Sequence, residues 1–240
     1  MKNFLYILLK RSKNPSLYIE LPASLIGSLT YSLIITSKLP KEELGIYGIS
    51  LAISAFFSQV IFSSVVVNVQ NKAWLIKDNS RSDEVNRIRL IYFSLSIIAL
   101  LVSFIGLLLS HPVYGSAILS GAISAIGISG QLIIINFLVV TSRYTESLLI
   151  TLRGWIYLLA LAFLMPSHAN YYPIAQGISF MFSIFPSRKI FLINIFSKYF
   201  KFNNLKFNII NNIKSYNFTY MVWSFMVWLR QNIAIFAIPA

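Results

Sequence analysis

Two long apolar runs joined by a short polar turn begin the pattern of this chain. Residues 16–68 contain both runs, and the turn at residues 38–44 contains Pro40 and four charged side chains. Each run is about as long as the ~20 residues that a helix needs to cross a hydrocarbon core. A strand would be shorter, and both runs are too continuously apolar for a soluble strand pair. The pattern therefore predicts a hairpin of two membrane-spanning helices.

Five more apolar runs follow, and polar connections separate them. The seven predicted spans are residues 16–36, 45–69, 90–110, 116–140, 148–165, 171–185 and 215–238. The predicted fold is therefore all-α, a polytopic membrane protein with a six-helix bundle followed by a seventh transmembrane helix. Hydrophobic residues make up 57% of the chain and charged residues 11%, against about 45–50% and 25% in soluble domains. This composition excludes a soluble globular protein.

Most basic residues lie at the span ends predicted to be on one side of the membrane. All but three of the 20 Lys and Arg residues lie in the N-terminal tail or in or beside the second, fourth and sixth connections, with Arg153 near the start of the fifth span; the exceptions are Lys38, Lys41 and Arg230. Lys and Arg are enriched in cytoplasmic loops, so we predict a cytoplasmic N-terminus. The net charge of +13 is explained by this placement beside the spans, and no nucleic-acid partner is expected.

A short motif in the first hairpin resembles a known transporter family. Residues 37–48, with the charged turn Lys41-Glu42-Glu43 followed by Gly45-Ile46-Tyr47, resemble the junction of the first and second helices in polysaccharide flippases. These are the O-antigen and capsule exporters of the multidrug/oligosaccharidyl-lipid/polysaccharide export superfamily. The resemblance implies a first bundle at residues 1–186, a basic cytoplasmic interfacial linker at 187–214, and the start of an incomplete second bundle at 215–240. The chain would then be the N-terminal part of a longer transporter, or a truncated product.

The same resemblance implies a function. The chain would flip undecaprenyl-pyrophosphate-linked oligosaccharide across the bacterial inner membrane by alternating access, alongside membrane lipids and polysaccharide polymerase machinery. The alternatives are a multidrug or cation antiporter of the same superfamily, a membrane polysaccharide polymerase or ligase, and an inactive truncated fragment or membrane anchor. The polymerase or ligase alternative expects a large outer loop, and the predicted outer connections have at most about eight residues.

Polar side chains within the predicted spans are candidates for a water-filled cavity, because such groups are costly in hydrocarbon. An arginine suits phosphate oxygens, since its planar guanidinium is always charged. Arg230 would therefore bind the pyrophosphate, with the other side chains contacting sugar hydroxyls. The candidates are Arg230, Gln231, Ser224, Tyr220, Gln131, Asn136, Gln59, Tyr31 and Arg153.

Glu20 allows two interpretations. It is either an ion-coupling carboxylate or an interfacial side chain paired with Arg11 or Lys13, and its position near the start of its span favours the interfacial pair. On the fourth span, the small residues around Gly121 and Gly127 are interpreted as a packing face.

Enzyme signatures are not found in the sequence. It contains no HExxH motif, no glycine-rich phosphate loop and no cysteine, and five of its seven acidic residues lie in loops with balanced charge. These motifs supply the usual metal and phosphate chemistry. We therefore expect neither an enzyme, nor a cofactor, nor a metal site.

The charge pattern makes a topological prediction. A reporter fused between Arg188 and Lys214 is expected to lie in the cytoplasm, because this connection contains six cations and no acid. A fluorescent protein fused there should therefore fluoresce, and a phosphatase should be inactive. Paired phosphatase and fluorescent-protein fusions measure this, with a fusion after His111 as the opposite-side control. A periplasmic signal from the 188–214 fusion would refute the threading.

Overall fold

The computed structural model describes residues 15–63, 65–66, 81–140, 142–184 and 218–237. Within these residues the protein is helical and contains no strand, which confirms the all-α class. The helices are α1 (Pro15–Lys38), α2 (Lys41–Phe56), a π-helical segment that continues α2 (Phe57–Phe62), α3 (Arg81–Leu109), α4 (Pro112–Val140), α5 (Tyr144–Leu164), α6 (Tyr171–Ile184) and α7 (Phe218–Ala237). The N-terminal tail up to residue 14 and the predicted linker at 187–214 lie outside the described residues.

Five of the described helices are long and apolar enough to cross a membrane. They lie at Ile19–Lys38, Lys41–Phe62, Ile91–Leu109, Pro112–Val139 and Tyr144–Leu164. This supports a multi-pass membrane protein. The two remaining helices correspond to the sixth and seventh predicted spans: α6 has 14 residues, about 21 Å at 1.5 Å per residue, and α7 contains the polar run Arg230-Gln231-Asn232. The count of seven spans and the cytoplasmic N-terminus stay predictions.

Four helices begin at least four residues earlier than their apolar runs predict. Helices α2, α3, α4 and α5 begin at Lys41, Arg81, Pro112 and Tyr144, where the expected starts are residues 45, 90, 116 and 148. Hydropathy marks only the part of a helix that contacts hydrocarbon, whereas backbone hydrogen bonding continues into the polar headgroup layer. In the turn before α5, Arg143 pairs with Glu146, so this polar part of the helix is stabilised locally.

Contacts between the helices show their relative directions. Glu20 and Lys38 of α1 contact Thr151 and Ala162 of α5, so α1 and α5 run the same way. Helices α2 and α4 are likewise parallel, since Ser50 and Ser54 contact Ser120 and Ser124, and so are α4 and α6. Helix α3 runs opposite to α4, and α7 opposite to α2. Successive helices therefore run in alternating directions, as expected for a chain that crosses a membrane repeatedly.

Helix α4 is the centre of the bundle. Of its span residues 61% are buried, against at most 33% in the other four spans. Its glycines allow neighbouring backbones to approach: a Cβ added at Gly127 would lie 2.1 Å from the carbonyl oxygen of Gly177, and one at Gly121 would lie 2.5 Å from that of Ser50. The packing role predicted for the small residues of this helix is confirmed at both glycines.

The outer surface of the bundle is apolar. Large exposed side chains are concentrated on faces of α1, α3, α5 and α7 that no other described helix covers, for example Leu29, Leu33, Leu101, Leu108, Ile156, Phe163 and Met226. In water such faces would drive aggregation. In a bilayer they contact lipid tails, which agrees with the membrane assignment.

The glycine contacts make a stability prediction. Gly127→Ala is expected to lower the free energy of unfolding by more than ~2 kcal/mol, because the new methyl group would meet backbone that cannot rotate away. Gly48→Ala is the matched control, since nothing lies within 4 Å of its added Cβ, and it is expected to stabilise α2 by ~0.5–1 kcal/mol. Thermal unfolding in detergent measures both. Equal melting temperatures for the two variants would contradict the close crossing of α4 and α6.

Candidate functional site

Glu20 joins α1 to α5 through two hydroxyl groups. Thr151 Oγ1 lies 3.0 Å from Glu20 Oε1, and Ser147 Oγ lies 3.3 Å from Glu20 Oε2. Ser147 and Thr151 are four residues apart and therefore share one face of α5. Both are buried, and the Glu20 side chain is half-buried. The carboxylate thus has donors within the protein, which lowers the cost of placing a charge near the membrane.

The hydroxyl arrangement suits both protonation states of Glu20. Thr151 Oγ1 also lies 3.1 Å from the carbonyl oxygen of Ser147. When the carboxylate is ionised, the Thr151 hydroxyl can donate a hydrogen bond to Glu20. When the carboxyl group is protonated, it can donate to Thr151, which then donates to the Ser147 carbonyl. The site therefore accommodates the gain or loss of a proton without breaking the α1–α5 contact.

The predicted interfacial partners of Glu20, Arg11 and Lys13, lie outside the described residues. The nearby cation Arg143 is engaged by Glu146 in the turn before α5. What the structure adds is the pair of hydroxyl partners on α5, which the sequence did not reveal.

Gln131 lies in the interior where α4 meets α5 and α6. Its Nε2 donates to Ser183 Oγ at 3.1 Å and lies 3.3 Å from the carbonyl oxygen of Ile150. Because Ile150 precedes Thr151, Gln131 and Glu20 contact consecutive residues of α5. Gly154 lies on the same helix, and a Cβ there would come within 2.4 Å of the Gln131 amide, so the amide is closely enclosed.

A ladder of hydroxyl and amide groups continues from Gln131 toward the other end of α4. Ser120 and Ser124 lie 3.1 and 3.2 Å from Ser50 and Ser54 of α2. Ser124 donates to Gln176 of α6 at 3.0 Å. Each of these side chains engages a neighbouring helix. The ladder therefore joins α2, α4 and α6.

The remaining candidates of the first six helices are dispersed. Tyr31 is buried and donates through its hydroxyl to the Tyr172 carbonyl oxygen at 2.7 Å. Asn136 donates to Leu132 of its own helix at 2.8 Å. Gln59 is exposed within the π-helical segment, and Arg153 is half-buried on α5.

Helix α7 contacts the bundle through one face only. Trp228 is buried and donates through Nε1 to the carbonyl oxygen of Ala52 at 2.9 Å, and its ring lies against Phe56. Ser224, one turn earlier, is buried on the same face. Arg230 is exposed and lies about 200° around the helix from Trp228, on the side turned away from α2. Gln231 is exposed as well, and the side chain of Tyr220 lies outside the described residues.

The structure thus brings together Glu20 and Gln131 at α5, but it does not bring Arg230 to them. Arg230 faces away from the described helices, so no common cavity of all the candidates is assembled in the described part of the chain. Within that part, no group of three or more His, Asp and Glu side chains could hold a metal ion.

Three partners in this region were missed by the sequence analysis. Ser147 was placed in a connection because the apolar run begins at residue 148, and Thr151 was not recognised as its neighbour on the same face. The signal was present as two hydroxyl residues four positions apart at the start of α5. Ser183, near the end of α6, gave no such signal.

Comparisons with known proteins do not extend this picture. No known protein family, no curated protein and no solved structure matches the chain.

The Glu20 site is tested by a double-mutant cycle. Glu20→Met combined with Thr151→Val is expected to show a coupling of ~1 kcal/mol in the free energy of unfolding, because each single change removes the same hydrogen bond. Glu20→Met combined with Thr36→Val is the control, since the Thr36 hydroxyl bonds only to its own helix. Additive effects in the Thr151 cycle would contradict the bond.

Proposed function

We propose that the chain is the N-terminal part of a transporter that flips undecaprenyl-pyrophosphate-linked oligosaccharide across the bacterial inner membrane. The observation that carries the proposal is the resemblance of residues 37–48 to the first helix junction of polysaccharide flippases. Helices of alternating direction with an apolar exterior support a membrane transporter in general.

In the proposed mechanism, two bundles alternate about a site between them. The polar ladder along α4 fixes α2, α4 and α6 to one another, so the first bundle would move as one body. Helix α7 would begin the second bundle, and its contact with α2 through Trp228 and Phe56 would be part of the joint between the bundles.

Arg230 is the proposed contact for the pyrophosphate. It lies twelve residues beyond Phe218, the first residue of α7, which corresponds to about 18 Å along the helix. An arginine at such depth is costly if it faces lipid tails. Its exposed position therefore favours a surface that meets water, protein or an anionic ligand. Gln231, beside it, would contact sugar or phosphate oxygens.

A cation-coupled antiporter of the same superfamily is the second candidate. The observation that favours it is the hydroxyl-lined carboxylate of Glu20, which accommodates both protonation states. A drug antiporter would recognise cations through acidic groups, whereas the deep charge on α7 is positive. The flippase is for this reason the first proposal, and Glu20 would serve as its proton- or cation-coupling group.

Transport by the full-length protein in proteoliposomes tests the proposal. A fluorescent polyprenyl-pyrophosphate oligosaccharide is expected to move between leaflets faster than in protein-free vesicles, measured by quenching with a reagent added outside. Arg230→Ala is expected to lower this rate at least tenfold, because it removes the proposed phosphate contact. Lys41→Ala is the matched control, since Lys41 is an exposed cation at the start of α2.

The possible outcomes test the flippase function and the role of Arg230 separately. Wild-type protein that leaves the lipid in its original leaflet but exchanges an organic cation for protons would favour the antiporter. Unchanged flipping by the Arg230→Ala protein would refute the role of Arg230 while leaving the flippase proposal intact.

A further inference from the structure

Lys38 ends α1 with its ammonium group at the carboxyl end of α5. Its Nζ donates to the carbonyl oxygens of Ala162, Phe163 and Met165 at 3.0, 2.6 and 3.2 Å. The last carbonyl groups of a helix have no partner within the helix, and together they carry a partial negative charge. A single ammonium with three protons therefore satisfies two acceptors in the last turn of α5 and one in the residue that follows it.

Glu43 makes the reciprocal contact from the first turn of α2. Its Oε2 accepts a hydrogen bond from the backbone N–H of Ala169 at 2.6 Å, and His168 Nδ1 lies 3.9 Å away. Ala169 belongs to the connection between α5 and α6. Lys38 and Glu43 therefore attach the α1–α2 turn to the α5–α6 turn by one cation and one anion.

A neighbouring lysine and a neighbouring glutamate make no such contact. Lys41 and Glu42 belong to the same turn of chain, and both side chains are exposed. No hydrogen bond or ion pair joins either of them to another described residue. The contact is therefore specific to two of the four charged residues in this turn.

Three tyrosines lie directly beneath the contact. The rings of Tyr31 and Tyr47 lie 6.5 and 6.4 Å from the ring of Tyr172. Tyr172 is fully buried, and its hydroxyl oxygen has no hydrogen-bond partner among the described residues. Buried polar groups are almost always paired, so a closed arrangement with an unpaired hydroxyl is less stable than its packing alone would give. This favours a second arrangement in which the hydroxyl is solvated.

We propose that Lys38 and Glu43 form a clasp that closes this end of the bundle over Tyr31, Tyr47 and Tyr172, and that release of the clasp opens the tyrosines to water. The closed state is held by charge-assisted bonds to backbone, which are stronger than bonds between neutral groups. The open state gains solvation of the Tyr172 hydroxyl. The clasp is thus a gate between the two turns, and it does not depend on which substrate the protein transports.

The absence of cysteine from the chain makes a labelling test direct. Ala175 is fully buried on α6, three residues beyond Tyr172, and Ala175→Cys is the reporter. Purified full-length protein in detergent is treated with a water-soluble maleimide, and the labelling rate is compared among Lys38→Met, Glu43→Gln, Lys41→Met and Glu42→Gln proteins. A second reporter, Ala99→Cys on α3, measures general loosening, since Ala99 is also fully buried.

Lys38→Met is expected to label Ala175→Cys about tenfold faster or more, because a loss of ~1.5 kcal/mol in charged hydrogen bonds shifts a closed–open equilibrium by that factor. Glu43→Gln keeps an oxygen that accepts the Ala169 N–H bond but loses the charge, so a smaller rise of about threefold or more is expected. Lys41→Met and Glu42→Gln are expected to label at the parent rate, and Lys38→Arg to remain nearer to it than Lys38→Met. If Lys38→Met protein does not fold, Glu43→Gln, which keeps the side-chain shape, decides alone. Equal rates for clasp and control variants, or an equal rise at Ala99→Cys, would overturn the proposal.

Discussion

The close approach of α4 to its neighbours is the constraint on which the rest of this bundle depends. Lipid tails are as apolar as leucine, so burying apolar side chains between helices gains little in a membrane. Packing contacts and hydrogen bonds must supply the association. Gly121 and Gly127 allow backbone-to-backbone contact with α2 and α6. Only at that distance can short side chains such as Ser120 and Ser124 reach across to partners.

The same close crossing explains why the interior polar groups form hydrogen bonds between helices. A serine extends one heavy atom beyond Cβ, so it bonds to another helix only where the axes are close. Gln131 is longer, and it spans from α4 to both Ser183 and Ile150. The two ends of the bundle use different chemistry. Near the start of α5 a carboxylate meets hydroxyl groups, and near its end an ammonium meets backbone carbonyls.

Much of the fold followed from the sequence, because hydropathy reports contact with hydrocarbon. Each predicted run contains a helix, and the glycine-rich face of α4 was identified as a packing surface from its spacing. The partners of Glu20 were not predicted, because Ser147 lies in the polar first turn of α5, where hydropathy gives no signal. The direction of Arg230 was not predicted either, since it depends on which face of α7 contains Trp228, and tertiary contacts decide that.

The π-helical segment has a consequence for any analysis that relies on helical periodicity. A π-helix closes its hydrogen bonds over one more residue than an α-helix. One additional residue turns the chain beyond it by about 100° relative to an uninterrupted α-helix. Phe62, the last residue of the segment, and Val65 beyond it are fully buried in one cluster with Tyr92 and Ile126. A helical wheel drawn through α2 in a single register would therefore assign its last turns to the wrong environment, and substitution scans of this helix need a separate phase on each side of Phe57–Phe62.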